Sequence, residues 1–312
     1  MTNASIITKI LGIKYPIISA PMANASGGWL AAEVTNAGGL GLIGAGYCDD
    51  EWVMKELSIV KEEEFGIGFI TWRLKQNPKL LTLALRKKPK AIMLSFGDIA
   101  PFIEEIKSAA VPLICQIQNT AQAIDCMNKD ADIIVAQGAE AGGHGATLGG
   151  MALIPSVADA VSLPVVAAGG ICDARGIAAA FSLGACGVLM GTRFLASNES
   201  LASNTVKSQL IEAKGEDTIR TNVFDYARGL IWPEPYTARA LKNEFTQRWH
   251  GISNLKEVIS TDIQKAYYCA TIENNISEAA VFAGEGVSLI KEILPAKIII
   301  EQLIQNFNQL KR

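Results

Sequence analysis

Short apolar runs recur through the first two thirds of the chain, and most lack the polar alternation of a strand with one wet face. They read PIISAPM from Pro16, LGLIGAG from Leu40, FGIGFIT from Phe65, AIMLSFG from Ala91, PLICQIQ from Pro112, DIIVAQG from Asp132, PVVAAGG from Pro164 and GVLMGTR from Gly187. Continuous apolarity over so short a span marks strands buried on both faces, as in a parallel sheet. Between them lie stretches with helical spacing, such as GGWLAAEVTNAG, DDEWVMKELSIVKEEE, IAPFIEEIKSAA, TAQAIDCMNK and DARGIAAAFSLGA. Strand and helix alternate with a repeat of roughly 20–30 residues, the length of one βα unit. Eight such units predict an α/β fold of the (β/α)8, or TIM, barrel class. An open doubly wound sheet would leave two of the strands unexplained.

After Arg193 the regularity stops. The segment containing TIRTNVFDYARGLIWPEPYTARALKNEFTQRWHG is rich in aromatic and turn residues, and the helical stretch LKEVISTDIQKAYYCATI follows it. A final helix from Gly286 onward closes the eighth unit. The expected division is a barrel of residues 1–202 and 283–312 with a small, mainly helical capping insert at 203–282. That insert is read either as a lid that shields a site from water or as a packing element.

Composition narrows the function more than the fold. Half of the 312 residues are hydrophobic and the formal net charge is −3, an ordinary globular balance without the basic footprint that nucleic acid requires. Lys9 and Lys14 interrupt the first apolar stretch, and charges with Pro295 interrupt LIKEILPAKIIIEQLI, so neither a signal peptide nor a bilayer-spanning run is expected. The expectation is a soluble, cytoplasmic protein with no membrane partner. Six scattered cysteines show no CxxC or Cys/His spacing, which reads as free thiols and no metal site.

Chemistry in this fold gathers at the C-terminal ends of the strands, which here read APM, GAG, ITW, FGD, QIQN, AQGAEAGGH, AGG and GTR. Small residues dominate, so a large ligand approaches the backbone there. AAGGICDARG and LMGTRFLAS place Gly169, Gly170, Gly191 and Thr192 where backbone N–H groups and a hydroxyl converge on a phosphate, aided by the dipole of a following helix. Ala20, Pro21 and Met22 end the first strand in a bend that suits a flat aromatic cofactor, although a proline turn with Ser26 as helix cap accounts for the same residues. Gln116 and Gln137 carry amides able to meet a heterocycle, or simply to bond neighbouring strand ends.

The stretch VAQGAEAGGHGAT holds His144, one of two histidines in the chain. On a glycine-flanked loop with little to pack against it, this imidazole reads as a proton acceptor or as a hydrogen-bond donor to an anion, with Gly142 and Gly143 letting the backbone approach a ligand. His250 reads as structural. Glu140 either faces the ligand or fixes the loop by accepting backbone hydrogen bonds, the second being favoured. Arg239 and Lys242 are read either as positive charge for an anionic substrate or as a solvated helix face.

With PIISAPMANASGGWLAAEVTNAGGLGLIGAG, QGAEAGGHGA, PVVAAGGICDARGIAAAFSLGACGVLMGTRF and ARALKNEF in hand, the chain resembles the nitronate monooxygenase family, formerly called 2-nitropropane dioxygenases, and its relatives the FMN-dependent enoyl-ACP reductases. The resemblance spans nearly the whole length. It implies a TIM barrel with a capping insert and one non-covalent FMN held by Met22, Gln137, Gly142, Gly170, Met190, Gly191 and Thr192, with Gln116 near its ring or phosphate and His144 as the catalytic histidine. It implies an anionic nitronate and O2 as reactants, a carbonyl compound and nitrite as products, and no metal; assembly into a homo-oligomer stays open. Two departures stand out. No large residue follows the histidine in GGHGA, and GIGFIT replaces the family's GVNL type, whose asparagine touches the flavin. The rival readings are an NAD(P)H-dependent FMN reductase acting on an enoyl-ACP, enoyl-CoA or quinone, and a flavin-binding protein without turnover; FDYARGLIWPEPYTARALKNEF favours the nitronate enzymes.

Overall fold

The computed structural model describes residues 4–62 and 64–310. Its strands are β1 (Ile17–Ser19), β2 (Leu40–Gly46), β3 (Gly66–Ile70), β4 (Ile92–Ser95), β5 (Leu113–Ile117), β6 (Ile133–Gln137), β7 (Gly143–Gly145), β8 (Val165–Ala168), β9 (Gly187–Met190), β10 (Thr218–Thr221) and β11 (Thr237–Leu241). Eight of them close into a parallel barrel in the order β1-β2-β3-β4-β5-β6-β8-β9, the expected TIM architecture.

The side-chain period of two explains why these strands are apolar throughout. Ile18, Leu42, Met93, Ile114, Val135, Val166 and Leu189 fill the barrel interior, and Ile7 and Leu11 of the first helix join that cluster. Their strand neighbours Ile17, Ile43, Leu94, Cys115, Ile134, Ala167, Val188 and Met190 face the surrounding helices. Both faces are dry, so no polar alternation survives. Helices such as Gly28–Asn36, Thr120–Asn128 and Ala174–Ser182 cover the outside, and the terminal helix Ala296–Leu310 packs between Gly28–Asn36 and Ala174–Ser182 to complete the ring.

Two expectations about elements need correction. The closing helix begins at Ala296 rather than at Gly286. Residues before it form a short 3-10 turn, Glu285–Leu289, and Pro295 precedes the first helical turn, a place where the missing N–H costs nothing. LKEVISTDIQKAYYCATI is also two helices, Leu255–Val258 and Thr261–Ile272. Ser260 separates them by accepting a hydrogen bond from the Ile263 amide, the usual N-cap geometry.

Within 203–282 lie the helices Asn204–Glu212, Val223–Ala227 and Glu244–Trp249 in addition to that pair. The segment is not purely helical: β10 and β11 pair antiparallel, and β11 pairs with β7, giving a three-stranded sheet in the order β10-β11-β7. β7 comes from the connection between β6 and β8, so this sheet ties the insert to the barrel mouth. Among the described residues no helix is long and apolar enough to cross a membrane.

Candidate active site

A cavity of about 600 Å³ opens at the C-terminal ends of the barrel strands and runs under the insert, within the usual size of a cofactor or small-ligand site. Ala20, Pro21, Met22, Gln116, Gln137, Gly142, Gly143, His144, Gly169, Gly170, Gly191 and Thr192 all line it. Met190 does not. Strand alternation turns its side chain outward into the helix-facing core, and it is Leu189 that faces the cavity. What Met190 contributes locally is its carbonyl, which accepts from the Ala20 amide at 3.0 Å. Where the family pattern has an asparagine, Gly68, Phe69 and Ile70 border the cavity.

The glycine loops after β8 and β9 expose main chain. Gly169 and Gly170 have φ of 105° and 70°, a region glycine enters without steric cost. Among the described residues the amides of Gly170 and Gly191 donate to no acceptor within the chain. The Thr192 hydroxyl accepts from the Gly284 amide at 3.0 Å, fixing this loop to the segment after the insert. The helix-dipole expectation fails after β8. Asp173 caps Ala174–Ser182 by accepting from the Arg175 and Gly176 amides, so that terminus already carries its own carboxylate. After β9 only the four-residue helix Thr192–Leu195 follows. Loop amides, rather than a helix terminus, are therefore what this part of the cavity wall offers.

The strand-end glutamines form a network. Gln137 Oε1 accepts from Gln116 Nε2 at 3.1 Å and Gln118 Nε2 at 2.8 Å, and Gln137 Nε2 donates to the His144 carbonyl at 2.9 Å. Gln118 was not singled out in the sequence, although QIQN places it two positions after Gln116 on the same strand face. Glu140 fixes its loop, as favoured: its carboxylate accepts from the Gly150 amide at 2.9 Å, and its carbonyl accepts from the Glu285 amide at 2.9 Å.

His144 departs most from expectation. It lies in β7, paired opposite Ala238, rather than on a free loop. Its ring stacks on Trp232 with centroids 3.4 Å apart and planes at 8°. Nε2 is 3.0 Å from both carboxylate oxygens of Asp225, and the two side chains are only 8% and 3% exposed. Arg228 donates from Nη2 to Asp225 Oδ1 at 2.6 Å and lies over the rings of Tyr47 and Phe282. Burial holds the imidazole below the usual histidine range, against an opposing pull from Asp225. A neutral ring at neutral pH, with Nδ1 making no hydrogen bond among the described residues, is the resulting state.

Asp225, Arg228 and Trp232 were not anticipated as site residues. The available signal was an acid and a base at i and i+3 inside the apolar stretch VFDYARGLIW, where charge is costly unless paired. Phe96, at the end of β4, holds φ at 64° and packs edge-on against Trp232 and Tyr236. A bulky residue in that region is unusual and is concentrated at functional sites.

Arg239 and Lys242 do not reach the cavity. Arg239 sits on β11, not on a helix face, donating to the Ala139 carbonyl at 3.0 Å and pairing with Glu285 at 2.8 Å. Lys242 donates to the Glu216 carbonyl at 2.7 Å. Arg220 on β10 donates to the carbonyls of Ala139 and Thr237 at 2.9 and 2.6 Å, and burial with the neighbouring Arg239 cation brings it down to about 10. These arginines anchor the loop before His144. His250 is exposed, with Nδ1 3.1 Å from the Thr221 hydroxyl.

A sequence profile described as "Nitronate monooxygenase" matches residues 4–65 and 72–306. A protein named "Probable nitronate monooxygenase" from Staphylococcus saprophyticus is 30% identical over 97% of this chain and 98% of its own. A protein of the same name from Staphylococcus haemolyticus is 35% identical over 77% and 79%. Among solved structures, FabK from Thermotoga maritima superposes with a TM-score of 0.84 at 29% identity, covering 98% of this chain and 96% of that one. The nitroalkane oxidase from Streptomyces ansochromogenes does so with 0.81 at 25% identity, covering 98% and 99%.

Proposed function

The chain belongs to the nitronate monooxygenase family, and on that premise we propose that it oxidises alkyl nitronates, and the nitroalkanes that give rise to them, with O2 and bound FMN, forming a carbonyl compound and nitrite. The observation that carries this reading is one cavity in which free backbone amides at Gly170 and Gly191 lie at one part of the wall and a neutral, oriented His144 at another.

The residues present suit the cofactor. At Gly143 an added Cβ would meet nothing within 4 Å, and at Gly191 it would stand 3.6 Å from the Ala20 Cβ and 3.7 Å from Met22 Sδ, both on the cavity wall. This is open space beside bare main chain, of the kind a ring and a phosphate use. Gly169, Gly170, Gly191 and Thr192 would hold the phosphate. Ala20, Pro21, Met22, Gly142 and Gly143 would border the ring, with Gln116 offering its free amide oxygen. Gln137 is chiefly a strut, because its own oxygen is already shared by two neighbours. When bound, the flavin supplies electron acceptance from the substrate and reaction with O2.

The chain supplies recognition and proton handling. Among the described residues Arg228 is the one side chain with a fixed charge in the lining of the cavity, which suits an anionic substrate. His144, neutral and held at Nε2 by Asp225, takes the proton from a neutral nitroalkane; a nitronate that arrives already ionised needs no such step. Trp232, Phe96, Tyr47 and Phe282 wall the cavity with apolar surface, excluding water from the reacting atoms. Residues 203–282 act here as a cap on a barrel formed by 1–202 and 283–312.

Anaerobic mixing of the purified, flavin-loaded protein with an alkyl nitronate tests the reading. Rapid bleaching of the flavin spectrum by nitronate alone is expected. Bleaching by NADH or NADPH but not by nitronate would assign the chain to the reductase alternative, and a colourless preparation that takes up no FMN would end both.

A further inference from the structure

Resting on that reading, we propose that Asp225 is a positioning residue that sets the tautomer of His144, so that Nδ1 rather than Nε2 is the nitrogen presented to the substrate. An ionised carboxylate accepts hydrogen bonds and donates none. With both of its oxygens 3.0 Å from Nε2, the proton of a neutral imidazole belongs on that nitrogen. Nδ1 then carries the lone pair. It makes no hydrogen bond among the described residues and belongs to a residue that lines the cavity.

Three further contacts hold this arrangement. Arg228, three residues along from Asp225, fixes Oδ1 at 2.6 Å and supplies the compensating charge a buried carboxylate needs. Trp232 covers one face of the imidazole in a near-parallel stack and opposes rotation of the ring. The backbone beneath the ring is fixed by Gln137 Nε2 at the His144 carbonyl and by pairing with β11. The charged groups acting on the imidazole are Asp225 and Arg228 at the insert helix and Arg220 from β10; Phe96 and Phe282 supply the remaining ring contacts. Asp225 reaches His144 across 81 positions of sequence, so the insert contributes to the chemistry through a residue that need not touch the substrate.

Nitrogen NMR on flavin-loaded protein with 15N-labelled histidine reads the tautomer directly. The chain has two histidines, and exposed His250 serves as the internal standard. At neutral pH the expected spectrum shows His144 as a single neutral form, protonated at Nε2 and bare at Nδ1. Asp225→Asn, whose amide can donate to Nε2, is expected to move population toward the Nδ1-protonated form. Turnover of a neutral nitroalkane should then fall by about 10²- to 10⁴-fold, with a smaller loss on a preformed nitronate that needs no deprotonation and partial recovery in Asp225→Glu. A wild-type His144 protonated at Nδ1, or an Asp225→Asn spectrum unchanged from wild type, overturns the proposal. If Asp225→Asn does not fold, the wild-type spectrum alone decides. Failure of nitronate to bleach the wild-type flavin would instead sink the functional reading, and the ring-nitrogen spectrum reads out separately from it.

Discussion

Replacing Gly191 by alanine separates ligand binding from folding at a single carbon. Gly191 has φ of −97°, which any L-residue adopts, and the new methyl would meet its nearest neighbours, the Ala20 Cβ and Met22 Sδ, at ordinary van der Waals distances of 3.6 and 3.7 Å. Folding should therefore lose nothing, and the stiffer unfolded chain adds about 0.4–1 kcal/mol of stability. For the ligand the outcome is opposite, because the methyl stands beside an amide that donates to nothing within the chain. Loss of one hydrogen bond to a charged phosphate costs about 1.5–3 kcal/mol, or about 10- to 150-fold in Kd. The assay is quenching of FMN fluorescence on titration with apoprotein, beside a thermal melt of the same preparation. Gly170→Ala is the contrast: its φ of 70° costs an L-residue about 1–2 kcal/mol, so both its Tm and its affinity should fall. An FMN affinity within twofold of wild type in Gly191→Ala, with the fold intact, would refute the assignment of this loop to the phosphate.

Other consequences follow from the same geometry. Burial lowers the His144 imidazole below its unfolded value, so the unfolded chain binds more protons in the window between the two; stability should fall as pH drops below about 6.5, and thermal melts of His144→Gln should show a flatter profile there. Trp232→Ala uncovers the ring, so the His144 titration followed by NMR should move up toward the ordinary histidine value. Truncation of this buried indole, 9% exposed, should also cost about 3–5 kcal/mol, seen as a lowered Tm. Of the six cysteines only Cys269 is exposed, so a thiol reagent should modify one group quickly in the native protein and the rest only on unfolding.

The barrel was legible because burial on both faces writes a parallel strand as an unbroken apolar run, and loops between strands and helices here are short. The glycine loops that line the cavity were legible for a related reason: Gly169, Gly170 and Gly191 are small where a strand ends, the end at which sites gather in this architecture. Met190 was misplaced because an apolar run conceals which alternate residues point inward. The strands β7, β10 and β11 escaped notice since GHG, TIRT and TARAL are short and mixed in polarity, and pairing across the insert, not local propensity, makes them strands. The setting of His144 was hidden most completely. Nothing local to the AGGHG stretch announces Asp225 or Trp232, whose approach depends on how the insert folds back over the mouth.

The sheet that joins β7 to β11 has an implication for engineering. A detachable cover could be exchanged between homologues to alter substrate preference while the reacting group stayed behind. Here the strand bearing the imidazole is hydrogen-bonded to the foreign half, and the carboxylate at its far nitrogen belongs to that half as well. A chimera made by transplanting 203–282 alone inherits the donor's ring orientation together with its walls, so a successful graft must carry the 138–145 connection along with it.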